Sequence, residues 1–455
     1  MWEDAVVIDY WDLLLTPFYL IVIYALGIVI KNKQLLKNKK PHYKYFIPAL
    51  TCKLLGGIGL CLIYTYYYGG GDPVSYFLTS QSYVNILLHD GIGAFLESAN
   101  YYANDIYTNP YFNEQNGTFW FHNNDYYALF VVILTTPITF LGAKTFIGAT
   151  LILAALTFTG TWKLYEMFIH HFPNKTKEFA YAILFVPSVF FWGSGILKDT
   201  YTFCFLGLIT YCIFKYFKLK ERKAKYIVYI IVFSILTLLI KPYILVALVP
   251  GAIVWIGFER MSKIKNKIIR LFGVPILLGG LSILILFIFT FFGEYLGEYS
   301  LDKVLDKAVK TQKDLIRDDY GVNNFNIGEF DASLTSILSK FPIAVGSTLF
   351  RPFLWDIRNP VMLISAIENT FILYFTLFVI FKIKTRMLFG IILNYPLLIF
   401  SLLFSLFFAF SVGLTTANFG ALVRLKIPCV PFYTASLIMI LELYRQKMET
   451  KNAVT

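Results

Sequence analysis

Apolar runs long enough to cross a lipid bilayer recur along the whole of this chain, and they leave few alternatives for its fold. Leu13 to Ile30, Phe46 to Tyr66, Tyr201 to Ile213, Leu271 to Phe292, Val361 to Ile380 and Leu397 to Val412 are mostly apolar. They approach or reach the roughly 20 residues that span a hydrocarbon core as a helix. A soluble core could not hide so much apolar surface: 57% of the 455 residues are hydrophobic and only 15% are charged. The expected fold is therefore an all-α polytopic membrane protein, with residues 1–455 forming a single transmembrane domain. The first run follows an acidic Trp2-Glu3-Asp4 start with no basic region and no small-residue cleavage site, so it is expected to remain as a helix.

The positions of the basic residues orient the spans. Lys31 to Lys44 holds six, Lys215 to Lys225 six, Arg260 to Arg270 five and Lys382 to Arg386 three, all in short loops beside apolar runs. By the positive-inside rule these loops face the cytoplasm. The net charge of +12 thus reports topology and contact with membrane lipids. No basic loop interleaves aromatics as base stacking requires, so nucleic acid is not an expected partner. The five cysteines lie in or beside apolar runs without short repeated spacing, which indicates neither a disulfide framework nor a zinc site.

Gly69 to Tyr126 is the counterpart of the basic loops, with six carboxylates, thirteen aromatics and no lysine or arginine in 58 residues. It is expected outside. Reading both Tyr127 to Leu141 and the following run as spans would put the Lys215 to Lys225 loop outside as well. The consistent solution lays Tyr127 to Leu141 on the outer surface as an interfacial helix, with Thr135, Thr136 and Pro137 in its middle. Spans are then expected near residues 13–30, 46–67, 144–166, 179–195, 199–217, 226–241, 243–258, 271–293, 360–381, 388–412 and 428–444. About 11 crossings place the amino terminus outside and the carboxyl terminus in the cytoplasm. The outer regions become Gly69 to Leu141, Glu294 to Asn359 and Gly413 to Lys426. No internal repeat is apparent, which weighs against transporters built from repeated halves.

Charges that topology puts on the outer side are the candidates for chemistry, because cations there run against the positive-inside bias. Lys198 and Asp199 lie in the turn Ser194 to Asp199, and Lys241 lies in Ile240-Lys241-Pro242-Tyr243. Arg351 and Arg358 fall in the aromatic segment Phe350 to Asn359, and Arg424 with Lys426 in Asn418 to Lys426. Each has a plainer reading as an anchor at the lipid headgroups. Lys53 reads as a snorkelling side chain. Asp72 follows three glycines and precedes Pro73, with Tyr76 one helical turn on. A helix-capping turn and a catalytic carboxylate both fit it, and Asp125 likewise fits a cap or a second acid. His89 and His122 lack ligand spacing, so no metal is expected, although a divalent ion is not excluded. Asn116-Gly117-Thr118 matches a glycosylation acceptor, and the mixed charges of Glu294 to Tyr320 read as a solvated amphipathic helix.

On these residues the layout resembles the GT-C-type glycosyltransferases, the superfamily of the protein O-mannosyltransferases and of the enzymes that transfer aminoarabinose to lipid A. In that superfamily a long first outer loop opens on an acidic motif with a nearby tyrosine, followed by a juxtamembrane helix and a basic residue at the next span. Asp72, Tyr76, the helix from Tyr127 to Leu141, and Lys144 fill those places here, and Asp199 and Lys241 resemble the acidic residue and lysine of the next two outer turns. The resemblance covers about residues 46–260, and it departs where Pro73 stands in place of a second acid. The carboxyl-terminal part looks more like bacterial polysaccharide-cluster membrane proteins. The resemblance implies sugar transfer from a polyprenyl-phosphate donor to a glycan or lipid acceptor, outside a bacterial inner membrane. Asp72 would be the base, and Lys198, Lys241, Arg351, Arg358 and Arg424 the phosphate ligands. An O-antigen or exopolysaccharide polymerase, and a non-catalytic transporter or scaffold for lipid-linked sugars, are the alternatives.

Overall fold

A computed structural model of the chain describes residues 7–101, 109–120, 125–262, 324–331 and 333–454. His122, the expected span at 271–293 and the expected amphipathic helix from Glu294 to Tyr320 lie outside them. The regular secondary structure of the described residues is helical, apart from an isolated bridge between Asn324 and Asn418. Six of these helices are long and apolar enough to cross a membrane, or seven if a pair bent by 63° near the carboxyl terminus counts as one span. Their outward faces suit lipid rather than water. Leu13, Ile21 and Val29 on the first helix are 66%, 68% and 64% exposed, and Phe381 is 82% exposed. The protein is an integral membrane protein.

The chain groups into two compact units. The first contains α1 (Tyr10–Asn32), α2 (Phe46–Leu62), α3 (Asp72–His89), α4 (Gly91–Tyr101), α5 (Tyr126–Leu141), α6 (Phe146–His171), α7 (Thr176–Ile183), most of α8 (Pro187–Trp192), α9 (Lys198–Ile213) and α10 (Ala224–Leu238). Helices α6 and α9 meet backbone to backbone through glycine. A Cβ at Gly160 would lie 2.3 Å from the Cys204 carbonyl, and one at Gly207 equally close to the carbonyl of Gly160. Small residues at such crossings replace the hydrophobic driving force that helices lack inside lipid.

Contacts within this unit sort the helix ends into two groups. At one end lie the amino-terminal turns of α1, α6 and α9. The Ile147 amide donates to Asp12 Oδ1 at 2.7 Å, and the Tyr19 hydroxyl to the Leu141 carbonyl at 2.9 Å. At the other, the Tyr43 hydroxyl and Lys163 both donate to Glu166, at 3.1 and 2.6 Å, and Lys163 sits 5.0 Å from the Tyr211 ring. The lysine-rich stretch at 31–44 belongs to this second end, as do Lys215 and residues 222–225. Asp125, Lys198, Asp199 and Lys241 belong to the first.

Much of the lysine-free stretch is ordered helix. Twelve of the eighteen residues of α3 are buried, chiefly against α5, where the Ser80 and Thr139 hydroxyls hydrogen-bond at 2.7 Å. The expected helix at Tyr127 to Leu141 is present as α5, one residue longer and with Pro137 inside it. Two expected spans are interrupted. Residues 179–195 form α7 and α8, eight and six residues long, and residues 388–412 divide before Pro396. A residue preceding proline is pushed out of helical geometry, and proline itself has no amide to continue the ladder.

The second unit contains α11 (Tyr243–Ser262), α12 (Leu334–Ser339), α13 (Phe341–Phe350), α14 (Pro360–Lys382), α15 (Thr385–Asn394), α16 (Pro396–Thr415), α17 (Phe419–Leu425) and α18 (Val430–Val454). Helix α16 is its centre. Trp255 of α11 stacks on Phe400 at 5.0 Å, Phe404 meets Phe432 of α18 at 4.7 Å, and Thr348 of α13 donates to the Ala409 carbonyl at 2.7 Å.

Candidate functional site

In the first unit the candidate residues gather around the amino-terminal turn of α9. Gly69, Gly70 and Gly71 all have positive φ, at 65°, 141° and 124°, a region in which a side chain is strained. At Gly71 a Cβ would also lie 2.9 Å from the Tyr64 ring. This glycine turn brings the chain off α2 and starts α3 at Asp72, which is exposed, while Tyr76 one turn later is only 3% exposed. A short relay of contacts leads from here towards α9. Tyr64, beneath Gly71, packs edge-on against Trp192 at 6.4 Å, and the Trp192 carbonyl accepts from the Thr200 hydroxyl at 3.4 Å.

Lys198 and Asp199, adjacent in sequence, reach opposite partners. Lys198 Nζ donates to Asp125 Oδ2 at 2.5 Å and lies 5.9 Å from the Tyr127 ring centre. Asp125 is also the cap of α5, accepting from the Ala128 amide at 3.1 Å, so the capping reading holds and a lysine is bound as well. Asp199 accepts from Lys241 Nζ at 2.5 Å. Its side chain is fully buried and that of Lys241 is 9% exposed, whereas the Asp125 side chain is 40% exposed. One pair is therefore sealed and the other is open on its acidic side. The position of Asp199 in the first turn of a helix favours its negative charge.

Lys53 does not snorkel. It is 4% exposed, and its ammonium donates to the Gly193 carbonyl in the turn leading to Lys198. The sequon asparagine is not displayed either. Asn116 is 1% exposed, donates to Asp90 at 2.7 Å and to the Tyr111 carbonyl at 3.0 Å, and meets His89 Nδ1 at 3.0 Å. It is a structural hub that a glycan could not occupy without unfolding the turn. Beside it the Tyr111 hydroxyl donates to Glu97 at 2.8 Å, and that carboxylate holds the phenol above its ordinary pKa. Lys144 bonds to Asn85 of α3 at 3.2 Å.

In the second unit Arg351 forks onto Asp356, with Nε to Oδ2 at 3.0 Å and a terminal nitrogen to Oδ1 at 2.9 Å. Rings of Phe325, Phe353 and Phe419 lie 5.5, 5.7 and 5.1 Å from its guanidinium carbon. Bidentate pairing and aromatic faces together satisfy an arginine on most sides. Arg358 is exposed and has no ion pair among the described residues. Arg424, at the end of α17, is half-buried. Lys426, named beside Arg424 from the sequence, is buried, as are two polar residues that sequence reasoning missed, Asn369 and Glu368. Lys426 lies only two residues from Arg424, and the signal that separates them is burial, which the sequence does not carry. Among the described residues no group of three or more His, Cys, Asp or Glu side chains is placed to hold a metal ion.

No protein-family model, curated protein or solved structure matches this chain. Its functional reading rests on the geometry.

Proposed function

We propose that this chain is a membrane glycosyltransferase that moves a sugar from a polyprenyl-phosphate donor to a lipid- or glycan-linked acceptor on the outer face of a bacterial inner membrane. The observation that carries the reading is Asp72: an exposed carboxylate at the head of a largely buried helix, set off by three glycines. Its turn is linked through Tyr64 and Trp192 to the α9 end where Lys198 and Lys241 lie. Glycines let a substrate approach the backbone closely, and an exposed carboxylate can take a proton from a hydroxyl within hydrogen-bond reach.

In the proposed reaction the acceptor hydroxyl gives its proton to Asp72 as its oxygen bonds to the sugar's anomeric carbon. The bond from that carbon to the phosphate oxygen breaks, its electron pair leaves with the polyprenyl phosphate, and a single displacement inverts the centre. Lys198, whose carboxylate partner is open to solvent, supplies positive charge for the departing phosphate. Lys241, sealed against Asp199, fixes the turn that carries Lys198. Asp125 holds Lys198 in place.

Asp72→Asn in purified, lipid-reconstituted protein tests this with a panel of polyprenyl-phosphate sugars. Transfer is expected to fall by about 100-fold or more, the usual contribution of a general base, with melting temperature unchanged because Asp72 is exposed. Retained transfer in this variant, together with its loss in Arg424→Ala, would favour a polymerase that joins two lipid-linked glycans through its arginines.

A further inference from the structure

Burying an ammonium among membrane helices is costly, and such a group repays attention to what it binds. Lys426 is 0% exposed and so is Asn369 of α14. Lys426 Nζ donates to Asn369 Oδ1 at 2.5 Å and to the Arg351 carbonyl at 3.4 Å. The Asn369 amide donates to the Pro352 carbonyl at 3.3 Å. Two buried side chains thus direct hydrogen bonds to consecutive carbonyls of one short segment. The neighbouring Glu368 supplies a negative charge that interacts with Lys426, and it also accepts from the amide and hydroxyl of Ser188 at 2.7 and 2.6 Å.

The segment itself is stiffened from the other side. Asp356 accepts from the Phe353 amide at 2.9 Å as well as from Arg351, and Phe353 stacks on Trp355 at 4.8 Å. Arg351 is therefore committed. Withdrawing it would leave Asp356, whose side chain is 10% exposed, without its counter-ion, which is unfavourable. What the segment displays instead is Leu354, Trp355 and Arg358, all exposed, with Trp355 at 76%. An indole, an aliphatic side chain and a guanidinium, all exposed within five residues of chain, match the junction between a lipid's hydrocarbon and its phosphate.

We infer that Lys426 and Asn369 are positioning residues that hold the Arg351–Arg358 segment so that Arg358, and not Arg351, meets the phosphate of the polyprenyl carrier while Trp355 and Leu354 lie against its chain. The inference rests on the proposed glycosyltransferase reading for the identity of the carrier, and its residues all belong to the second unit. Arg358 makes the contact, Arg351 shapes the loop, and Lys426 acts only through the loop's backbone.

Binding of undecaprenyl phosphate to the full-length protein in nanodiscs, with phosphatidylglycerol as comparison, tests this. Arg358→Ala is expected to weaken undecaprenyl phosphate binding by about tenfold or more, the loss of a charge-assisted contact. Arg358→Lys should recover part of it. Lys426→Met should weaken binding in the wild-type background and have no further effect in the Arg358→Ala background, since residues acting through one another are non-additive. Asn369→Asp keeps Lys426 paired but repels the Pro352 carbonyl, so it gives the same test if Lys426→Met does not fold. Wild-type protein that binds no undecaprenyl phosphate would overturn the glycosyltransferase reading itself. Wild-type binding that survives Arg358→Ala would overturn only this assignment, as would an equal loss for phosphatidylglycerol.

Discussion

The ion pairs beside α9 and the one in the Arg351–Arg358 segment are built differently. Beside α9, lysines meet carboxylates brought from far along the chain: Lys198 and Asp125 are 73 residues apart, and Lys241 and Asp199 are 42 apart. At the segment, Arg351 finds Asp356 five residues away, and the buried Lys426 binds an amide oxygen and a carbonyl. Long-range pairs staple helices together, so their loss should be felt by the whole unit. A local pair shapes one loop, so its loss should be felt there. The same residue types thus serve packing beside α9 and presentation at the segment.

The sharpest way to break that contrast is at Asp199 and Lys241. Replacing Asp199 by Asn, or Lys241 by Met, strands one member of a buried pair and is expected to cost about 3–5 kcal/mol, seen as lost yield or a lower melting temperature in detergent. The double change to Leu and Met should recover most of that loss, because two apolar residues leave no orphaned charge. Single variants as stable as the wild type would show that the pair is no staple. A smaller effect is expected from Arg351→Ala. The guanidinium is 24% exposed, which weakens the pair, and the loss should be roughly 1–2 kcal/mol once screening is allowed for. The change should appear as faster proteolysis or hydrogen exchange confined to residues near the segment. A global loss equal to that of Asp199→Asn would erase the distinction between the two places.

Much of the first unit was legible. The runs that became α1, α2, α6 and α9 carry enough consecutive apolar residues to be read directly, and Thr135, Thr136 and Pro137 do lie within the helix expected there. Interruptions were the harder part. Pro187 and Pro396 were visible in the sequence, but hydropathy averages over a single proline, so the expected spans at 179–195 and 388–412 ran through breaks in the helix. The length of α3 was concealed by its serines, threonine and asparagine, which turn inward onto α5 and the following turn rather than marking a loop. At the site, topology alone grouped Lys198, Asp199 and Lys241, because loops at the same end of a bundle are neighbours. Their pairing could not be read, since which of two adjacent residues faces which partner depends on helix rotation. Lys426 and Asn369 were obscured for the same reason. A buried lysine and an exposed one are spelled alike.

The central claim is that the lysine-free stretch and the α9 ion pairs share one membrane face, opposite the lysine-rich loops. Single-cysteine labelling with a membrane-impermeant maleimide tests it in a cysteine-free background, by placing the probe at three exposed positions of the first unit, Glu114, Lys37 and Lys223. Glu114→Cys should be labelled in intact cells stripped of their outer envelope, and Lys37→Cys and Lys223→Cys only after the membrane is permeabilised. Labelling of Glu114→Cys and Lys223→Cys from the same side would contradict the account.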